Sequence, residues 1–278
     1  TIEKIVSSNK KEVIEGDMIA MDEIMPSRAE YFSSIPRIGS RHRKMLMSHF
    51  GCPYNCSYCS ISGVRKRYGP QAYSKYYLTR RPIENLIEEA KIFLEYPTIE
   101  VDMCDDDLLY GKDIDEFLPE FTRVWKQEIN LPVYGFITPP TIVNVSDKVL
   151  GTLSELVDTV AMGVQAARSE SLKLFNRQFQ TEEMLQTAMD RLRAFGINTK
   201  LEVIIGLPVD DPIGDALETI KLAQRVGDGT FGAVFPLMLY PGTELWRWCK
   251  EKNVQVEEEC NYDWYGGTGS VRFDPEIK

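Results

Sequence analysis

An incomplete parallel barrel of six βα units is the α/β fold that this sequence predicts, on three observations. Short apolar runs alternate with longer segments of helical period, at about 25 to 50 residues per unit, the spacing of a βα repeat. The helical segments carry start and stop signals. The strand-like runs are apolar enough to be covered by helices, which argues for a parallel sheet. A closed TIM-like barrel needs eight such units, and the 278 residues accommodate six.

Taken in order, strands are expected near Met45–Phe50, Ile99–Cys104, Val133–Thr138, Thr159–Val164, Thr199–Gly206 and Gly232–Tyr240. Pro82 to Tyr96 reads as a helix because Pro suits a first turn and Ile83, Leu86, Ile87, Ala90 and Leu94 share one face. Ile114 to Ile129 follows, and Ser146 caps a helix running to Leu156. Thr181 opens a capping pattern whose helix stops at Gly196. Pro212 to Val226 ends at Gly227, and Thr243 to Lys252 is the last helix. This divides the chain into a linker over 1–43, the partial barrel over 44–252 and an extension over 253–278. The linker piece Met21-Asp22-Glu23-Ile24-Met25-Pro26 has no sustained period and no core of its own.

The chain is 43% hydrophobic with a formal net charge of −10. An acidic surface repels phosphate backbones and so argues against a nucleic-acid substrate. Arg65-Lys66-Arg67 with Tyr68 reads as a solvated turn or a shield over an anionic cofactor. No apolar run approaches the roughly 20 residues of a membrane span, and the expectation is a cytoplasmic protein. The six cysteines do not form a disulfide framework.

Three of them dominate the functional reading. Cys52, Cys56 and Cys59 stand at C-x-x-x-C-x-x-C spacing in a short loop after the first strand, with Tyr58 just before the last. Thiolates so close can converge on one centre without closing a long loop. Three ligands leave one iron of a [4Fe-4S] cluster open, and an open iron can chelate the amino and carboxylate groups of S-adenosylmethionine (SAM). The alternatives are a zinc knuckle with His49 as fourth ligand, or an electron-transfer module, which would be expected to offer four thiolates.

In parallel barrels chemistry gathers at the carboxyl ends of strands. Strand two ends in Cys104-Asp105-Asp106-Asp107, a run that is costly unless something positive sits there; otherwise Asp107 caps the following helix and the others face water. Cys104 faces the barrel mouth as a hydrogen-atom donor or packs as a small hydrophobe. Gln165, at the end of strand four, carries a donor and an acceptor suited to ribose hydroxyls. Arg177 offers a planar fork that fits a carboxylate. Gly206 at the end of strand five lets a ligand approach the backbone.

The cysteine loop, Gly163-Val164-Gln165, Asn176-Arg177, Ile204-Ile205-Gly206-Leu207-Pro208 and Tyr240-Pro241-Gly242-Thr243-Glu244-Leu245 together resemble the radical SAM superfamily. The Asp105-Asp106 pair and the 21–26 linker resemble its cobalamin-binding branch. The resemblance implies a radical SAM barrel in which Cys52, Cys56 and Cys59 ligate the cluster and Tyr58 lies beside adenine. Asp105 or Asp106, Gln165 and Arg177 hold the amino, ribose and carboxylate parts of SAM, and Ile205 and Leu239 complete the cofactor site. It implies a small-molecule substrate, a flavodoxin- or ferredoxin-type electron donor, and hydrogen abstraction leading to cobalamin-type methyl transfer or to epimerisation, cyclisation or rearrangement. No Asp-x-His-x-x-Gly motif occurs, so cobalamin is expected only from an additional domain or a separate partner. Cys104, Cys249 and Cys260 are too scattered for an auxiliary cluster.

Overall fold

Six parallel strands in the order β1-β2-β3-β4-β5-β6 curve into an open half-barrel. The computed structural model describes residues 25–227, 232–256 and 270–271. The strands are β1 (Arg43–Leu46), β2 (Glu100–Met103), β3 (Val133–Ile137), β4 (Val157–Gln165), β5 (Asn198–Ile205) and β6 (Ala233–Pro236). Strand faces divide the molecule. Val101 and Met103 point to the helical layer and are fully buried there with Leu86, Phe93, Phe121 and Trp125. On the concave face, Arg43 pairs with Glu100, and the guanidinium of Arg43 and the ammonium of Lys200 both lie over the Tyr134 ring.

The predicted helices are present as Ile83–Phe93, Ile114–Glu128, Asp147–Leu156, Glu182–Ala194, Pro212–Val226 and Glu244–Glu251. Two caps work as the sequence suggested: Ser146 accepts from the Val149 N–H and Thr181 from Met184. Thr243 adds a further cap, accepting from the Trp246 N–H. Short helices at Arg28–Ser34, Ser60–Tyr68, Pro70–Tyr76, Pro139–Asn144 and Ser169–Leu174 were not predicted: each is brief and none starts with a capping side chain, whereas the equally brief Glu244–Glu251 has Thr243. Arg65-Lys66-Arg67 is accordingly the last turn of a helix and not a loop.

Two strands differ from expectation at their ends. β1 stops at Leu46 and not Phe50, because the N–H groups of Ser48 and His49 turn to a carboxylate, as described below. β6 stops at Pro236 and not Tyr240: the Leu237 N–H still donates to Ile205 O of β5 at 2.8 Å, but from there the chain turns to Ser270. The Ser270 N–H donates to Leu237 O at 2.8 Å and the Leu239 N–H to Ser270 Oγ at 2.9 Å, so the segment after β6 is held by Ser270. The amino-terminal segment adds to the core: Phe32 is buried against Phe93 and Tyr96. Residues 21–24 of the linker piece, Cys260 and the glycine-rich run 265–269 lie outside the described residues.

Candidate functional site

The cysteine loop is held from below by Asp105. Its Oδ1 accepts the Ser48 N–H at 2.9 Å, the His49 N–H at 2.6 Å and the Ser48 hydroxyl at 2.9 Å. Asp106 accepts the Gly51 N–H at 2.8 Å. Gly51 has φ +107°, and a Cβ there would come within 2.6 Å of the Tyr73 hydroxyl, which itself accepts the Cys52 N–H at 2.8 Å. Arg80 donates to Ser48 Oγ, Leu108 O and Tyr110 O, and Arg81 to Met47 O. Arg81 is anchored by the buried Glu89 carboxylate, which also takes Arg28 at 2.6 Å.

The positive groups demanded by the three aspartates are therefore largely the protein's own. Burial would raise the Asp105 pKa, but His49 and Arg80 outweigh it and hold the carboxyl below the usual range. Asp107 neither caps a helix nor faces water. It is fully buried, accepts from Thr138 and Thr141 at 2.6 Å each, and burial pushes it up to about 6.

Arg177 Nη1 lies 3.4 Å from Cys56 Sγ. The backbone N–H groups of Tyr54, near Cys52, and of Ile61 and Ser62, near Cys59, favour the thiolate form. Burial pushes Cys59 up to about 11 and Cys52 up further, so both are thiols in the absence of a metal charge. A cationic cluster reverses that balance, since coordination deprotonates a thiol outright. N–H groups that favour the thiolate suit anionic cluster ligands. Among the described residues no three His, Cys, Asp or Glu side chains close on a single-ion position. His49, the fourth zinc ligand of the alternative reading, turns Nδ1 to Asp105 at 3.0 Å.

The loop is tied to the segment after β4. The Ser57 N–H donates to Phe175 O at 3.1 Å, and the Tyr58 ring packs on the buried Phe175 at 4.6 Å between centroids. Arg177, 5% exposed, donates to Gly163 O at 3.1 Å and to Gln180 Oε1 at 2.6 Å, while its Nε has no hydrogen-bond partner among the described residues. Gln165 adopts φ +64° where β4 slips register against β5. Its side chain folds across Gly163, where a Cβ would lie 2.2 Å from Nε2, and its Oε1 is buried without a partner among the described residues. Opposite Gly163 in register stands Glu202, whose carboxyl burial alone pushes up to about 7.

Glu202 was not singled out from the sequence. The available signal was a carboxylate inside the apolar run Leu201-Glu202-Val203-Ile204-Ile205. Ile205 is partly buried against the main core at the end of β5. Leu239 is 4% exposed and packs with Leu207, Leu237 and Leu245 in a second core, so its side chain serves packing. Cys104 shares the partly open face of β2 with Asp102, and burial raises its thiol to about 12. Cys249 is fully buried in the second core.

The Glu202 shift has a testable sign. A carboxyl raised above its ordinary value of about 4.3 binds its proton more tightly in the folded state. Its contribution to stability is thus lost as pH rises from that value through the folded-state value of about 7. The thermal midpoint of the metal-free protein is expected to fall across this interval, and Glu202→Gln to flatten the profile. An unchanged slope in the variant would assign the dependence to other groups.

The comparisons agree with this geometry. The sequence profile of the Radical SAM superfamily matches residues 47–223. An uncharacterized methyltransferase of Pyrococcus horikoshii is 25% identical over 217 residues, covering 76% of this chain and 42% of the relative. A tRNA-2-methylthio-N(6)-dimethylallyladenosine synthase of Oceanobacillus iheyensis is 24% identical, covering 79% of this chain and 41% of its own. The chain thus spans less than half the length of these curated relatives. In fold it is similar to the radical S-adenosylmethionine methyltransferase TsrM of Kitasatospora setae, solved with tryptophan and aza-SAM, at a TM-score of 0.62 and 16% identity, over 95% of this chain and 48% of that one. With the profile running from just after β1 through most of Pro212–Val226, and the cysteine loop, β2 to β5 and the candidate site residues Asp105, Gln165 and Arg177 inside it, the chain belongs to the radical SAM superfamily.

Proposed function

We propose that Cys52, Cys56 and Cys59 hold a [4Fe-4S] cluster beside a SAM site, and that the reaction begins with hydrogen abstraction from a small molecule. The observation that carries this reading is that the three cysteines share one loop whose backbone is clamped by Asp105, Asp106 and Tyr73, with Arg177 Nη1 3.4 Å from Cys56 Sγ. When bound, the cluster supplies one electron and SAM supplies the 5′-deoxyadenosyl radical that abstracts hydrogen.

The chain's own residues bind and orient. Gln165 Oε1, buried without a partner among the described residues, and the Glu202 carboxyl on the adjacent strand are suited to the two ribose hydroxyls. Arg177 is the carboxylate-binding candidate; its contact with Cys56 also puts positive charge against a cluster ligand. Asp106 is the better amino-group candidate of the aspartate pair, because Asp105 Oδ1 already accepts three hydrogen bonds. Tyr58, Ile205 and the backbone near Leu239 are the adenine-side candidates. Methyl transfer, with cobalamin presented by another domain or a partner, is supported by the Pyrococcus relative named as a methyltransferase. In a cobalamin-independent reaction, the thiol of Cys104, just after β2 with its Sγ 3.6 Å from Asp102 O, is the candidate to return a hydrogen atom.

The products formed from SAM under reducing, oxygen-free conditions separate these readings. The cluster-loaded chain is expected to make 5′-deoxyadenosine, slowly and without S-adenosylhomocysteine. Adding a cobalamin-presenting domain should bring both S-adenosylhomocysteine and methylated product. Turnover of a substrate without cobalamin would exclude methyl transfer by this route. Arg177→Lys should weaken SAM binding while iron content is kept, because the ammonium loses the paired geometry of the fork. Parent-like SAM affinity in that variant would remove Arg177 from the site.

A further inference from the structure

The charge of the chain is distributed unevenly. Despite 42 Asp and Glu against 32 Lys and Arg overall, no acidic residue lies between Glu30 and Glu84, where ten Lys and Arg fall. That interval contains the cysteine loop and the helices Ser60–Tyr68 and Pro70–Tyr76. Both helices are fastened to the loop. Cys59 is the residue preceding the first helix, Arg65 donates to Pro53 O, and the Tyr73 hydroxyl takes the Cys52 N–H. Tyr68 and Tyr77 pack at 5.7 Å between centroids and join the pair into one platform. Its outer surface presents Lys66, Arg67, Lys75 and Tyr68, all exposed. Glu244 pairs with Lys66, and the exposed Arg247 lies on the same helix as Glu244.

Resting on the proposed cluster, we infer that this platform is the docking surface for an acidic one-electron carrier protein. At 1.5 Å per residue, the cationic turn lies about 12 Å along the helix from Cys59. A carrier seated there faces the loop whose Cys52 and Cys59 are only partly buried. Attraction between a basic patch and an acidic partner steers encounter, and an exposed Tyr gives such an interface an aromatic anchor. In the step this serves, the reduced carrier gives one electron to the oxidised cluster and leaves one electron poorer. An RNA backbone is the less suitable occupant. Binding to a nucleic-acid backbone rests on many Lys and Arg contacts to phosphates, and the platform offers few exposed cations inside an acidic chain.

The test uses a flavodoxin as the probe. Flavin anisotropy reports binding to the metal-free chain, and anaerobic stopped-flow reports reduction of the cluster-loaded chain by flavodoxin hydroquinone. Arg67→Glu/Lys75→Glu is expected to weaken binding and slow reduction on the order of tenfold at low salt. The parent rate should fall with added salt while the variant rate stays nearly flat. Reduction by dithionite and iron content should match the parent, and Lys221→Glu, on Pro212–Val226, should change nothing. Equal flavodoxin rates for parent and double variant, or equal slowing with dithionite, overturn the inference. So does labelled tRNA that binds the parent at physiological salt and is lost in the double variant. Failure to take up iron would count against the proposed function, while the binding measurement still decides the surface.

Discussion

Replacing Cys52, Cys56 or Cys59 by alanine is expected to abolish iron uptake, brown colour and 5′-deoxyadenosine formation together. With three protein sulfurs for four irons, every ligand counts, and no remaining cysteine lies in the loop to substitute. Cys104 lies just after β2, Cys249 is buried in the second core, and Cys260 is outside the described residues. Cys249→Ala and Cys260→Ala should therefore keep parent iron content, although Cys249→Ala carries the cost of a small cavity, about 1 kcal/mol. Iron, sulfide and zinc analysis after anaerobic reconstitution decides the point. Zinc at full occupancy with no chromophore would falsify the cluster assignment and everything built on it.

Asp105→Ala is expected to have the largest effect of any substitution outside the cysteines. It removes the acceptor for three donors from Ser48 and His49 and leaves Arg80 buried without that countercharge. Breaking such a buried arrangement from one side costs about 3–5 kcal/mol. Urea unfolding of the metal-free variant should show a clearly lower midpoint, and cluster uptake should fall because the loop loses its clamp. Asp105→Asn should lie between parent and alanine, keeping an acceptor but not the charge. The pH dependence has the opposite sign to that of Glu202. A carboxyl held below its ordinary value of about 3.9 contributes fully above that value, and its contribution is lost as pH falls through the folded-state value. A parent-like midpoint in Asp105→Ala would show that the loop is held by its other ties.

Much of this was legible along the chain because it depends on local chemistry. Cap residues, apolar stripes and breakers set the six long helices, and their hydrogen bonds join residues three or four apart. The β1–β6 order follows from repeated right-handed crossovers once each strand–helix unit is recognised. The thiol spacing is local too, so the proposed metal centre could be located in the chain before the fold was known. Short helices were lost to the same logic, since Ser60–Tyr68 and Pro70–Tyr76 combine few turns with no capping side chain, while the equally short Glu244–Glu251 is marked by Thr243.

What the sequence by itself determined is therefore the half-barrel, its longer helices, and the spacing of the three loop cysteines and their place after the first strand. The tertiary structure alone decided how the polar residues at the strand ends divide their work. Asp105, Asp106 and Asp107 are consecutive and chemically identical, yet one clamps Ser48 and His49, one holds Gly51, and one is sealed between Thr138 and Thr141. Gln165 and Glu202 become neighbouring acceptors only because β4 and β5 are paired in register. Arg177 reaches Cys56, 121 residues away, only through the fold. The physical reason is shared. A buried polar group must take its partners from whatever the fold brings within about 3 Å, and sequence spacing carries no record of that distance between segments far apart in the chain.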